Sequence, residues 1–91
     1  MPARHVFRLS GHDTRSFLQG LVTNNVDGID AGPVYAALLT PQGKYLADFF
    51  LSAAGNDVLL DTSADQADML RTRLNMYKLR ADVAIADAGL F

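Results

Sequence analysis

A β-hairpin signal in the middle of the sequence constrains the fold more than any other feature. The apolar run Val34–Leu39 is followed by the turn Thr40-Pro41-Gln42-Gly43 and by a second run, Lys44–Ser52. Pro41 presets φ at the second position of a turn, and Gly43 can adopt the positive φ of a bulge. Alternate residues of the second run point to opposite sides of the strand, and one side is wholly apolar. That apolar side consists of Tyr45, Ala47, Phe49 and Leu51.

Two helices and three more strands are predicted around the hairpin. The first strand is Val6–Leu9, and the helix that follows it ends at Thr23-Asn24-Asn25. The strand after the hairpin is Asp57–Asp61, and a second helix, which ends near Lys78, precedes a last strand, Asp82–Ala86. The order β-α-β-β-β-α-β is that of an α+β domain, in which two helices pack on a mostly antiparallel sheet.

Local signals predict where the helices begin and which residues they bury. Ser10, with Asp13 three positions later, resembles a capping box for the first helix, with Asp in place of the usual Glu. Thr62 or Ser63 is predicted to cap the second helix, and the segment Asp27–Pro33 is predicted to be a loop. The predicted buried stripes are Thr14, Phe17, Leu18 and Leu21 in the first helix and Ala67, Leu70, Leu74 and Tyr77, widened by Met69 and Met76, in the second.

Composition excludes several classes of protein. The 91 residues suffice for one small domain, and the absence of Cys excludes disulfides, thiolate zinc sites and Cys-ligated iron–sulfur clusters within the chain. All 10 acidic residues are Asp, and the net charge of −2 argues against a general nucleic-acid-binding protein. No apolar run approaches the ~20 residues of a membrane-spanning helix. Because an apolar leader segment is also missing, we expect a cytoplasmic protein with no membrane partner.

Asp48 is the candidate site that the residue pattern singles out. It lies in mid-strand, with Leu46 and Phe50 two residues away on the same face. Desolvation by such neighbours raises the pKa of a carboxyl group and suits it to binding or proton transfer. The alternative is an aspartate on the solvent face of an edge strand, with no chemical role. The pattern leaves both interpretations open.

A basic run near the end of the second helix is another candidate site. It consists of Arg71, Arg73, Lys78 and Arg80. A helical period of 100° per residue spreads these cations over different sides, so they do not form one patch. They indicate either an anion or RNA contact or a solvated helix whose cations complement its C-terminal end. His5 and His12 are interpreted as surface residues, and the sequence shows no catalytic pair, metal site or nucleotide fingerprint.

Three segments carry a family resemblance: RLSGHDTRSFLQGLVTNNV, YAALLTPQGKYLADFFL and RLNMYKLRADVAIAD. In this order and at this spacing they resemble the N-terminal part of the YgfZ family. These folate-binding proteins are related to the aminomethyltransferase, or T-protein, of the glycine cleavage system. The resemblance implies that residues 1–91 form the N-terminal lobe of a folate-binding domain, which is built from two related α+β halves.

The resemblance also implies a folate site. Aminomethyltransferases have two adjacent acids in the corresponding strand, and one of them lies near the pterin. The matching stretch here, Gly43-Lys44-Tyr45-Leu46-Ala47-Asp48, keeps the second acid as Asp48 and has Ala47 in place of the first. We therefore expect Asp48 to contact tetrahydrofolate or a one-carbon derivative. Leu59 and Asp61, in the next strand, fall where the relatives have folate-contacting residues, and no metal ion is implied.

The sequence leaves three functions open. The first, which the resemblance implies, is a folate-binding accessory module that supports iron–sulfur enzyme maturation and tRNA modification, with maturation proteins or client enzymes as partners. The second is one-carbon transfer of the aminomethyltransferase type, with Asp48 holding a pterin nitrogen. The third is a small α+β interaction or RNA-contacting module that uses the basic run. Because half of a two-lobed domain exposes an apolar face, a homodimer is also predicted.

Overall fold

The computed structural model describes residues 3–40 and 42–90, which form a five-stranded sheet and two α-helices. The strands are β1 (Arg4–Ser10), β2 (Val34–Leu39), β3 (Tyr45–Ala54), β4 (Asp57–Ser63) and β5 (Ala84–Leu90), and the helices are α1 (Thr14–Gln19) and α2 (Ala67–Lys78). The strand order is β2-β3-β4-β1-β5, and each neighbouring pair is antiparallel. The predicted α+β class and the predicted order of elements are confirmed.

One face of the sheet is buried and the other is left open. Phe7, Phe49 and Leu60, on the buried face, are at most 1% exposed and belong to one core cluster with Leu18 of α1 and Leu74 of α2. Since both helices contribute to this single cluster, the opposite face has no helical layer in the described part of the chain. This open face is formed by Val6, Arg8, Tyr35, Ala37, Asp48, Phe50, Leu59 and Asp61.

The connections around β2 are more ordered than predicted. Val26–Asp30 forms a 3-10 helix, and the side chain of Asn25 accepts a hydrogen bond from Asp27 N–H at its start, so the predicted loop is partly wrong. The turn after β2 is present: Gly43 has a φ of +85°, and its N–H donates to Thr40 O at 2.8 Å. Pro41, the other residue on which that prediction depended, lies outside the described residues.

A bulge in the hairpin changes the face on which Tyr45 lies. Leu38 pairs with Ala47 whereas Leu39 pairs with Tyr45, so β3 contains one extra residue at this point. Such an insertion moves the residues beyond it to the other side of the strand. Tyr45 is accordingly 57% exposed and does not join the apolar side to which the simple alternation assigned it.

The start of α1 is held by the loop before β5 and not by a capping box. Ser10 belongs to β1, and Asp13 precedes α1 without a side-chain cap bond. Instead, Asp82 N–H donates to Asp13 Oδ2 at 2.8 Å, and Asp13 N–H donates to Asp82 O at 3.1 Å. Gly11 has a φ of +123°, and a Cβ there would collide with the same Asp82 carbonyl. The capping box is wrong because the carboxylate of Asp13 is used in this long-range contact.

The start of α2 also differs from the prediction. A 3-10 turn, Ala64–Gln66, separates β4 from α2. Thr62 lies in β4, where its buried Oγ1 donates to Asp48 O at 2.9 Å. Ser63 makes no cap bond, and its Oγ is buried without a hydrogen-bond partner among the described residues. The predicted cap is therefore wrong, and Met76, which is 53% exposed, does not widen the buried stripe.

Substitutions of Thr62 and Ser63 test whether either hydroxyl group caps α2. Thr62→Val removes only the bond to Asp48 O, and we expect it to lower the free energy of unfolding by about 1–2 kcal/mol. Ser63→Ala has no cap bond to lose and removes a buried hydroxyl group without a partner among the described residues, so we expect no loss of stability and a gain of up to about 1 kcal/mol. Urea unfolding measures both values. A loss of about 1 kcal/mol or more for Ser63→Ala would contradict this account and indicate a helix cap.

Candidate functional site

Asp48 lies where two neighbouring strands of the sheet separate. The β3–β4 ladder runs from Ala54 opposite Asp57 to Phe50 opposite Asp61, and it stops before Asp48. At Asp48, side chains replace the missing ladder bonds. Asp48 O accepts from Thr62 Oγ1 at 2.9 Å, and Asp48 N–H donates to Gln66 Oε1 at 3.1 Å.

The carboxylate of Asp48 is surrounded by hydrogen-bond donors. Tyr35 Oη donates to Asp48 Oδ2 at 2.5 Å, and Gln66 Nε2 faces Oδ1 at 3.5 Å. Tyr45, turned to this face by the bulge, supplies a further hydroxyl group that stabilises the charged carboxylate. The ring of Tyr35 lies 5.3 Å from that of Phe50, centroid to centroid, and both side chains are about half exposed. The site thus combines a half-buried carboxylate with exposed aromatic surface.

These donors reverse the predicted direction of the pKa of Asp48. The hydrogen bond from Tyr35 is the main cause of a pKa below the ordinary carboxyl value, and it outweighs the opposing effect of desolvation. The same bond raises the pKa of Tyr35, while desolvation is the main cause of the raised pKa of Tyr45. The prediction of a raised pKa for Asp48 is therefore wrong. At neutral pH the site presents an ionised carboxylate and two protonated phenols.

The alternative interpretation placed Asp48 on an edge strand, and that placement is wrong. β3 lies between β2 and β4, so Asp48 is on an internal strand, and its side chain is half-buried. Ala47, which the family resemblance predicted to replace the first acid of the pair, is fully buried on the helix side. Successive strand residues point to opposite faces, so Asp48 alone of this pair of positions faces the open side.

Leu59 and Asp61 lie on the open face with Asp48. Asp61 is opposite Phe50 in the register, two residues from Asp48, so the two aspartates are diagonal neighbours on adjacent strands. The carboxylate of Asp61 is paired with Arg4, at 2.9 Å between Oδ1 and Nε. Leu59 is half-buried further along β4. The fold thus brings the three residues predicted to contact folate to one surface.

An apolar cleft lies at a different place on the molecule. It has a volume of about 380 Å³. Its walls are formed by Gly20, Leu21, Leu39, Thr40 and Tyr77. None of the three predicted folate-contacting residues lines it, and the sequence had assigned Leu21 and Tyr77 only to helix packing.

Two members of the basic run make contacts within the fold. Arg71 donates to Asp87 Oδ1 at 2.7 Å, and its guanidinium carbon lies 5.2 Å from the centroid of the Phe7 ring. Lys78 Nζ donates to Val83 O at 3.1 Å. These contacts tie α2 to β5 and to the loop before it, so two of the four cations have structural partners.

His5 is not the ordinary surface residue that the sequence suggested. Its ring is 16% exposed, lies 4.6 Å from the Phe7 ring, and has Nε2 at 2.9 Å from Asp87 Oδ1. The hydrogen bonds from His5 and Arg71 hold the pKa of Asp87 below its ordinary value. Within residues 3–40 and 42–90, no group of three potential metal ligands comes together. No helix in those ranges is long and apolar enough to cross a membrane.

No model of a known protein family matches the chain. Comparison with curated proteins finds relatives that carry the same name. The "Iron-sulfur cluster assembly factor IBA57 homolog, mitochondrial" of Chaetomium globosum is 33% identical over an alignment of 111 positions. This alignment covers 98% of this chain and 25% of that protein. The protein of the same name in Mycosarcoma maydis is 36% identical over 101 residues, covering 96% of this chain and 25% of the relative. The chain therefore spans about a quarter of the length of these relatives.

Comparison with solved structures identifies the fold. The crystal structure of the glycine cleavage system aminomethyltransferase T from Bartonella henselae matches with a TM-score of 0.76 at 17% identity. The match covers 94% of this chain and 26% of that chain. The chain is a homologue of the IBA57 proteins with the T-protein fold. The predicted resemblance to the YgfZ family is confirmed.

The comparison corrects the predicted location. Relatives of this YgfZ-like chain are named as mitochondrial proteins, which contradicts the cytoplasmic prediction and points to the mitochondrion. That prediction depended on the absence of an apolar leader. Mitochondrial targeting segments are amphipathic and rich in Arg, so an apolar leader is not the signal that identifies them.

The pKa of Asp48 provides a direct test of the site geometry. Tyr35→Phe removes the main donor, and we expect the pKa of Asp48 to rise toward its ordinary value. Tyr45→Phe should cause a smaller rise, and Tyr77→Phe, on α2, should cause none. Carboxyl NMR titration of the folded chain measures these values, and an unchanged pKa in Tyr35→Phe would contradict the assigned contact.

The same contact determines a pH dependence of stability. A carboxyl group whose folded-state pKa lies below its unfolded value stabilises the fold above about pH 4, and this contribution is lost as the pH falls through the folded pKa. We therefore expect the difference in unfolding free energy between wild type and Tyr35→Phe to be greatest near neutral pH and to become smaller in acid.

Proposed function

We propose that this chain is the N-terminal lobe of a YgfZ-type folate-binding module and that the open face around Asp48 contacts the pterin ring. The observation that carries the proposal is the ionised, half-buried carboxylate of Asp48 beside the exposed rings of Tyr35 and Phe50. Leu59 and Asp61 extend the same surface. The family resemblance and the T-protein fold support tetrahydrofolate, or a one-carbon derivative, as the ligand.

The chemistry of the site suits a flat ring with an N–H group at its edge. A carboxylate offers about four lone-pair positions, and Tyr35 and Gln66 each approach one oxygen of Asp48. Tyr45 takes a further position, and the one that remains can accept an N–H bond from the aminopyrimidinone end of a pterin. The half-exposed rings of Tyr35 and Phe50 provide apolar surface for the flat face of such a ligand.

Binding is favoured over aminomethyl transfer because the pair of acids is incomplete. Ala47 replaces the first acid and is fully buried under the helices. Asp48 keeps a lowered pKa and is unprotonated at neutral pH, so it is suited to accept hydrogen bonds and not to donate a proton. The chain therefore supplies a ligand contact without a general acid at this position.

The cellular role that we propose is accessory support of iron–sulfur protein assembly in the mitochondrion. It is supported by relatives that are named iron–sulfur cluster assembly factors and mitochondrial proteins. Maturation proteins or client enzymes would be the partners. A contribution to tRNA modification and self-association into a homodimer stay predictions for this chain.

Calorimetric titration with 5-formyltetrahydrofolate, an oxidation-resistant reduced folate, tests the ligand and the residue together. We expect Asp48→Asn to weaken binding about tenfold or more, which corresponds to about 1.4 kcal/mol. Asp68→Asn, an equal charge change at an exposed position of α2, should bind as wild type does. Absence of binding by the folded wild-type chain at millimolar ligand would remove folate from the account. Equal affinity of Asp48→Asn would remove Asp48 from the site.

A further inference from the structure

We infer that Gln66 is a positioning residue, which fixes the carboxylate of Asp48 in the orientation that meets the ligand. This inference rests on the proposed folate site. A single amide side chain contacts two different groups of Asp48: Oε1 accepts from the backbone N–H at 3.1 Å, and Nε2 faces Oδ1 at 3.5 Å. Gln66 thereby links the backbone of Asp48 to its side chain.

The chemistry of these groups determines which way the amide points. A backbone N–H can only donate, so the Gln66 oxygen must face it. The NH₂ group must then face the carboxylate, which only accepts when ionised. Reversal of the amide would bring two donors together on one side and two acceptors together on the other. The orientation of Gln66 is therefore set by Asp48, and it directs a donor to Oδ1.

The position of Gln66 in the fold makes it a rigid support. It is the last residue of the 3-10 turn before α2, and α2 is anchored in the core through the fully buried Leu70 and Leu74. The β3–β4 ladder has already stopped at Asp48, so β4 supplies no backbone acceptor for its N–H. Gln66 takes that place, while Thr62 binds the Asp48 carbonyl.

The two carboxylate oxygens of Asp48 are held by two different side chains. Tyr35 on β2 binds Oδ2, and Gln66, beside β4, faces Oδ1. With both oxygens restrained, the carboxylate plane cannot rotate freely, and the lone pair left free by Tyr35, Tyr45 and Gln66 has a fixed direction. A position fixed in this way is preorganised to accept an N–H bond and lowers the ordering cost of binding. Loss of Gln66 would leave the tyrosines as the only restraints among the contacts described.

Three substitutions separate positioning from simple packing. Gln66→Met keeps the length of the side chain but has no amide. Gln66→Glu keeps the acceptor for Asp48 N–H but replaces the donor by a second carboxylate. Gln42→Glu is the matched control, with the same chemical change at an exposed residue of the hairpin turn. Circular dichroism establishes that each variant is folded.

The readouts are the titration of Asp48 without ligand and the affinity for 5-formyltetrahydrofolate. We expect Gln66→Glu to raise the pKa of Asp48 above that of wild type, because like charges disfavour ionisation. Gln66→Met and Gln66→Glu should each weaken folate binding about tenfold, and Gln42→Glu should change neither readout.

The outcomes separate this inference from the proposed function. If Gln66→Glu leaves the titration of Asp48 unchanged, or if both variants at Gln66 bind folate as wild type does, Gln66 does not position Asp48 and the inference is overturned. If the wild-type chain binds no folate, the proposed function fails, and a raised pKa in Gln66→Glu still supports the link between Gln66 and Asp48. Should Gln66→Met fail to fold, Gln66→Glu alone decides.

Discussion

The break in the β3–β4 ladder at Asp48 is the constraint on which the rest of the site depends. A peptide group that loses its strand partner in a half-buried place costs about 1–3 kcal/mol unless another group bonds to it. Here Thr62 and Gln66 supply these bonds from their side chains. The same break lets Gln66 reach the carboxylate of Asp48, so one local departure from regular pairing both completes the backbone bonding and shapes the site.

The second constraint is that the sheet buries only one face. Phe7, Phe49 and Leu60 pack under the helices, and the open face retains ion pairs such as Arg4–Asp61 beside exposed aromatic rings. A surface of this mixed character suits a ligand with both a flat apolar ring and polar edge groups better than it suits a second hydrophobic core. The chain spans about a quarter of the length of the proteins that it matches, which agrees with the lobe that we propose.

The sequence predicted those features that depend on local periodicity. The hairpin, the order of elements and the buried positions Leu70 and Leu74 are present because alternation and helical spacing report directly which side is buried. The grouping of Asp48 with Asp61 on one face also follows from alternation along β3 and β4, once the strands are known to be neighbours. The family segments predicted the T-protein fold correctly.

The features that the sequence did not predict depend on contacts between distant residues. Asp13 does not cap α1, because its carboxylate binds the backbone of Asp82, 69 residues away. The pKa of Asp48 is lowered and not raised, because its sequence neighbours predict desolvation whereas its main donor, Tyr35, lies across the hairpin. Gln66 gave no signal in the sequence, because its role exists only where β3 and β4 separate. Hairpin register could have indicated Tyr35 as a diagonal neighbour of Asp48.

A chemical-shift map is the most direct test of the central claim that the open face around Asp48 binds folate. Backbone amide spectra of the labelled chain, recorded during titration with 5-formyltetrahydrofolate, report which residues sense the ligand. The account predicts that the largest changes cluster on Tyr35, Asp48, Phe50 and Asp61. Changes confined to the apolar cleft around Leu21 and Tyr77, with none at Asp48, would contradict it.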